Sequence, residues 1–179
     1  MTELDDMTIR QASKGDRTAF KRLYDHYAPF VWKVAFRTAN GQRPVAEEIL
    51  QETFVRVLSG LKRFGGNSAL STWVYRVAYN AAMTIMTKTT TGRFVDIDEL
   101  PIAGKGEGRF DNQDLIRHIL KDVSAEDRFL LTSHAVEGMS FEELEAATGV
   151  GAGTLRVRLH RLRTELQRKF GDLTKGAPL

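Results

Sequence analysis

The chain of 179 residues contains no cysteine. A disulfide scaffold and any thiolate metal site are therefore excluded, and a reducing compartment fits without being required. No apolar run approaches the length of a membrane span. The N-terminus, MTELDDMTIR, is acidic and lacks the apolar centre of a signal peptide, so a cytoplasmic protein without membrane insertion is expected. Net charge is also small, a formal +3, so the total says little about nucleic acid. The four histidines, His26, His118, His134 and His160, show no metal-ligand spacing, and neither a metal nor a cofactor is expected. No P-loop, no Gly-x-Ser-x-Gly and no nucleophile–base–acid arrangement occurs, so no enzyme is expected. Strand signals are scarce, and no internal repeat is visible.

What is present is an ordinary globular composition, 42% hydrophobic and 27% charged. The length suits one domain or two small ones. Helical periodicity dominates, which predicts an all-α fold. Asp16 can cap a helix carrying Phe20, Leu23, Tyr24, Tyr27, Val31, Val34 and Ala35, kinked at Pro29 and ended by Asn40-Gly41. Val45 to Leu61 forms a second amphipathic segment with Ile49, Leu50, Phe54, Val57, Leu58 and Leu61 apolar. After the loop Phe64-Gly65-Gly66-Asn67-Ser68, a third segment runs from Leu70 to Met86. From Thr87 to about Gln113 the periodicity stops, which reads as a flexible linker between two small helical domains. The expected division is 1–87, a linker 88–113, a second domain 114–173 and a tail 174–179. Helices resume at Asp114 to Lys121 and at Ser124 to Val136.

The most informative stretch is Ser140 to Phe170. Ser140 and Glu143 form an S-x-x-E capping box, so a helix should begin at Phe141. Thr148-Gly149-Val150-Gly151 breaks it. A second helix then places Leu155, Leu159, Leu162, Leu166 and Phe170 on one stripe. Two helices joined in this way form a helix-turn-helix, whose second helix enters a DNA major groove. Between Thr154 and Phe170 six cations stand against Glu165 alone, and such clustering matters more than the total charge. With the leucines inward, Gly153, Thr154, Val157, His160, Arg161 and Thr164 face outward, flanked by Arg156, Arg158 and Arg163. Arg156 is a candidate for guanine, Arg161 for phosphate, and Val157 for a thymine methyl.

Three ordered motifs go further. AEEILQETFVRVLSGLKRF, GNSALSTWVYRVAYNAA and VEGMSFEELEAATGVGAGTLRVRLHRLR resemble the extracytoplasmic-function sigma factors of bacterial RNA polymerase. The early GDRTAFKRLYDHY is similar to the first conserved helix of that family. The match spans roughly residues 9–80 and 116–170. It implies an N-terminal domain that binds the polymerase core and melts the promoter −10 element, and a C-terminal domain that binds the −35 element. It also implies an anti-sigma factor as partner.

By that resemblance the acidic helix with Glu47, Glu48, Gln51, Glu52, Phe54 and Arg56 docks on core polymerase. The adjacent carboxylates do not converge as an acid–base pair would, because neighbours on a helix point about 100° apart. The next stretch combines Lys62, Arg63 and Arg76 with Phe64, Trp73, Tyr75 and Tyr79, a mixture suited to single-stranded DNA, although Trp73 and its neighbours could equally pack the core. By resemblance the Gly65–Ala69 loop captures a flipped base through Asn67 and Ser68, and Asn80 matches a frequent family asparagine. The −35 contacts implied are Thr154, Arg156, Val157, Arg158, His160 and Arg161. Two departures stand out. The family's Asp-Ala-Glu-Asp run is Val45-Ala46-Glu47-Glu48 here, one acid fewer. After Asn80 the usual Asp and basic residues give way to Ala81-Ala82-Met83-Thr84-Ile85-Met86-Thr87-Lys88, which removes phosphate contacts. A helix-turn-helix regulator acting without polymerase and a sigma-like decoy for an anti-sigma factor remain as alternatives.

Overall fold

In a computed structural model, residues 3–90 and 112–171 are described. Those residues form eight α-helices: α1 (Asp6–Ser13), α2 (Arg17–Thr38), α3 (Arg43–Gly60), α4 (Leu70–Thr90), α5 (Asn112–Leu120), α6 (Ala125–Ala135), α7 (Phe141–Thr148) and α8 (Ala152–Phe170). A short 3-10 turn, Leu61–Arg63, follows α3. No strand occurs among the described residues. The proposed linker lies largely outside them, as do the tail and the last two residues of the expected second domain.

Local chemistry accounts for the boundaries. Asp16 accepts from the Ala19 amide at 2.8 Å and starts α2, which continues through Pro29, the position of the expected kink, to Thr38. Asn40 (φ 52°) and Gly41 (φ 79°) turn the chain after α2. A Cβ on Gly41 would sit 2.6 Å from Arg117 Cδ, so this turn needs glycine for its conformation and for space. Helix α1 has no counterpart in the sequence-based expectation. Its signal was Asp5, whose carboxylate accepts from the Thr8 amide at 2.8 Å.

Leu23, Tyr27 and Val31 of α2 pack against Phe54 and Val57 of α3 and Val74 and Ala78 of α4 to form the first core. Leu23 is fully buried, and truncation of such a leucine to alanine costs about 2–5 kcal/mol. Glu3 ties the N-terminal segment to this core. Its carboxylate accepts from the Leu70 and Ser71 amides at 3.1 and 3.2 Å, capping α4, and from the Tyr27 hydroxyl at 3.4 Å. Burial, assisted by Glu3, pushes the Tyr27 phenol up to about 12.

The C-terminal helices do not stand apart. Val34 and Tyr75 join Phe129, Leu130, Leu144, Leu155 and Leu159 in one shared core. Tyr75 and Tyr79 each meet the Phe129 ring, with centroids 5.2 and 4.9 Å apart. The Tyr75 hydroxyl donates to Ser133, which donates to the Phe129 carbonyl at 2.6 Å. Arg128, 7% exposed, donates Nε–H to the Thr38 carbonyl at 2.7 Å and Nη1–H to the Leu120 and Val123 carbonyls at 3.2 and 2.5 Å. It thus caps the C-terminus of α2 from the other half of the chain, where carbonyls and helix dipole favour a cation. Two groups of helices were expected; that they share a core was not legible from the sequence.

Candidate nucleic-acid interface

Helix α7 begins with the full capping box. Ser140 Oγ accepts from the Glu143 amide at 3.1 Å, and Glu143 accepts from the Ser140 amide at 2.8 Å. It ends at Gly149 (φ 78°), whose N–H returns to the Glu145 carbonyl. The Glu145 carboxylate accepts from the Ala152 amide at 2.8 Å and so caps α8. Leu155, Leu159 and Leu162 are buried, which rolls Thr154, Arg156, Val157, His160 and Arg161 outward, all exposed. Val157 remains 50% exposed. Beside this face a groove of about 510 Å³ is lined by Gly153, Val157, Arg161 and Leu162, with Asp127 and Glu165 among its walls.

Arg158 departs from the expectation. Its Nε–H donates to Asp127 at 2.6 Å and its Nη2–H to Glu126 at 2.8 Å. The Asp127 hydrogen bond, with Glu126 behind it, raises its pKa. Arg158 is thereby fastened to α6 and its charge is offset by two carboxylates. It holds α8 in place and is not a free DNA contact. Nothing local in the sequence signals this, since the partners lie 31 and 32 residues away.

The expected −10 residues separate into two groups. Lys62, Arg63, Asn67 and Ser68 are exposed on the turn and loop after α3, and Gly66 (φ 71°) shapes that loop. Arg76 and Asn80, four residues apart on α4, share an exposed face. Phe64 and Trp73 instead meet each other, with centroids 5.2 Å apart, and pack on the first core. Both are half-buried there. The neighbouring face of α4, with Tyr75 and Tyr79, is covered by the C-terminal helices. Toward its end α4 carries threonines whose hydroxyls donate to its own backbone: Thr84 to Asn80, Thr87 to Met83 and Thr89 to Ile85.

On α3, Glu47 and Glu52 are paired within the helix, to Arg43 at 2.9 Å and Arg56 at 2.7 Å. Glu48 is half-exposed and Gln51 exposed. Phe54 is a correction: it is 6% exposed, meets the Tyr24 ring at a tilt with centroids 4.5 Å apart and belongs to the core. Leu58 is the opposite correction, since its apolar pattern placed it inside and it stands 50% exposed, near Val55 at 62%. Glu48, Gln51, Val55 and Leu58 fall on one helical face. That outward face is more apolar and less acidic than the sequence alone suggests.

Fold and surfaces together define an all-helical protein with two adjoining helical groups, the second ending in two helices, α7 and α8, joined by a short turn, with basic residues on the outer face of α8. Residues 23–91 match the family model for Sigma-70 region 2. The chain is 24% identical over 180 residues to the ECF RNA polymerase sigma factor SigW of Bacillus subtilis (strain 168), covering 92% of this chain and 96% of that one. It is 27% identical over 187 residues to the ECF RNA polymerase sigma-E factor of Escherichia coli (strain K12), covering 96% of each. Two solved structures share the fold. One is CnrH in complex with the cytosolic domain of CnrY (TM-score 0.69, 18% identity, 93% of this chain and 96% of that one). The other is the sigma factor RpoE with the anti-sigma factor NepR from Bartonella quintana (TM-score 0.67, 24% identity, 89% and 98%). The chain is thus similar along nearly its whole length to ECF sigma factors of RNA polymerase, and residues 23–91 carry the Sigma-70 region 2 match. No described helix is long and apolar enough to cross a membrane.

Proposed function

We propose that this chain is the subunit that brings core RNA polymerase to a limited set of promoters by gripping DNA at two points. The α3 face with Glu48, Gln51, Val55 and Leu58 docks on the core enzyme, with Glu47 and Glu52 at its edge. The loop with Asn67 and Ser68, together with Lys62, Arg63, Arg76 and Asn80, takes the opened −10 strand. The outer face of α8, with Thr154, Arg156, Val157, His160 and Arg161, reads the −35 duplex. The role is non-enzymatic and cytoplasmic, and the polymerase performs the chemistry. The carrying observation is the outward presentation of Arg156, Val157 and Arg161 on a helix capped by Glu145, in a chain whose other half matches Sigma-70 region 2.

An anti-sigma factor is the expected regulator, since the Bartonella quintana neighbour was solved with one. The test is run-off transcription by core polymerase on genomic fragments with and without this chain. New transcripts that depend on the chain support the reading. Absence of any complex with core polymerase overturns it. A decoy that only sequesters an anti-sigma factor is the second reading, favoured by the hydroxyl-lined end of α4 where few cations are present. Tight anti-sigma binding with no transcript on any template would select it.

A further inference from the structure

Bidentate reading of guanine requires a guanidinium whose two N–H groups lie in the plane of the base. A free arginine visits many rotamers, so the quality of such a contact depends on what holds the side chain beforehand. Arg156 lies over an aromatic ring: its Cζ is 5.0 Å from the centroid of Phe141. Phe141 is the first residue of α7, directly after the Ser140 cap. It is half-buried against the C-terminal core. Its ring also meets His134, with centroids 4.3 Å apart and planes 30° from parallel. His134 is pinned in turn, since Nδ1–H donates to the Met139 carbonyl at 2.7 Å.

Two other cations of α8 are held by carboxylates. Arg158 is fastened to Asp127 and Glu126, and Lys169 pairs with Glu165. Arg156 has only a loose ionic neighbour, Glu142, at 4.0 Å, with the two side chains 63% and 73% exposed. A ring face attracts the guanidinium without occupying its N–H edges, which stay free to donate. A carboxylate would occupy them.

We propose that Phe141 is a positioning residue for promoter recognition: its ring holds the Arg156 guanidinium ready for base reading at the −35 element. This rests on the assignment of α8 to the −35 element. The helix-turn-helix then acts as a unit in which the first helix supplies the platform and the second supplies the reader. Loss of the platform should weaken discrimination between bases, because the charge of Arg156 and its attraction for phosphate remain.

The test uses the full chain bound to core polymerase and a duplex library randomised across the −35 region, with bound and unbound pools sequenced. Phe141→Leu and Phe141→Met keep an apolar side chain without a ring face, and Phe141→Tyr keeps the ring. The expected result is a loss of roughly two- to five-fold in preference at the position that Arg156→Ala also flattens. Phe141→Tyr should retain the wild-type preference, and binding to random duplex should be unchanged in every Phe141 variant. Thermal melting identifies any variant that fails to fold, and the other ring-less variant then carries the comparison. If Arg156→Ala flattens one position while both ring-less variants match wild type, the positioning role is refuted and the −35 reading stands. If Arg156→Ala changes no base preference, the base-reading assignment of Arg156 fails, and the positioning role fails with it.

Discussion

Replacing Arg128 with methionine tests whether the two halves of the chain form one cooperative body. Arg128 is 7% exposed and donates to three carbonyls, two in its own half (Leu120 and Val123) and one at the end of α2 (Thr38). Burial lowers its pKa, and no carboxylate pairs with it among the described residues. Methionine fills similar space but leaves all three carbonyls without that donor. A hydrogen bond from a charged group contributes about 1.5–3 kcal/mol net, but part of the loss is returned because a guanidinium no longer needs to be desolvated. A net destabilisation of about 2–4 kcal/mol follows, which at about 2–4 °C per kcal/mol lowers Tm by roughly 4–16 °C. Because one of the three bonds crosses between the halves, the loss should also loosen the seam. The sequence has no cysteine, so Ser59→Cys and Thr164→Cys, both at exposed positions, accept dyes without competition. In denaturant, the energy-transfer signal between them should fall before helical circular dichroism in the Arg128→Met protein, and together with it or closer to it in the parent. Coincident transitions with unchanged midpoints in both proteins would refute the assignment of Arg128 as the tie between the halves.

Three shorter predictions accompany it. The Tyr27 phenol is raised from 10.0 to about 12 by burial and Glu3, so its contribution is complete below pH 10 and is lost as pH rises through about 12. Stability should therefore decline over that alkaline window, and Tyr27→Phe should flatten the decline measured by urea titration at stepped pH. Gly149 holds φ 78° at the end of α7, so Gly149→Ala should cost about 1–2 kcal/mol in chemical denaturation, and an unchanged midpoint would show that the turn relaxes. Val55→Ser with Leu58→Ser removes exposed apolar surface on α3. It should weaken core polymerase binding about tenfold or more while leaving the melting temperature within a few degrees.

Legibility followed the range of the interactions. The capping box at Ser140 and Glu143, the inward leucines of α8 and the Asn40-Gly41 turn depend on residues a few positions apart, and all three appear as the sequence implied. Phe54 and Leu58 were both apolar positions on an amphipathic helix, and only packing separated the buried one from the exposed one. Arg158 flanks the outward face as Arg156 does, and the resemblance groups it with Arg156 and Arg161 as a −35 contact. Its diversion to Asp127 and Glu126 requires α6 to lie beside α8, which no local pattern encodes. The same holds for Glu3, which reaches amides 67 and 68 residues away.

The seam between the halves is chemically unlike either core. Arg37 Nη1, Thr38 Oγ1, Asn40 Oδ1 and Glu137 Oε1 are buried without a hydrogen-bond partner. Three of the four belong to the end of α2. The fourth, Glu137, faces Arg37 across the seam at 3.6 Å. Thr38 Oγ1 and Asn40 Oδ1, which have no ionic partner either, each forfeit about 1–3 kcal/mol relative to a satisfied atom, whereas the first core is walled by leucine, valine and tyrosine that lose contact area if separated. Opening the seam would return those polar atoms to water, which offsets part of the apolar area re-exposed on Tyr75, Tyr79 and Phe129, but it would break the Arg128 bond to the Thr38 carbonyl. The boundary that covers one face of α4 therefore combines apolar contacts with buried polar atoms that gain partners in water. The −35 face of α8 and the outer face of α3 need no such opening, because both are already exposed.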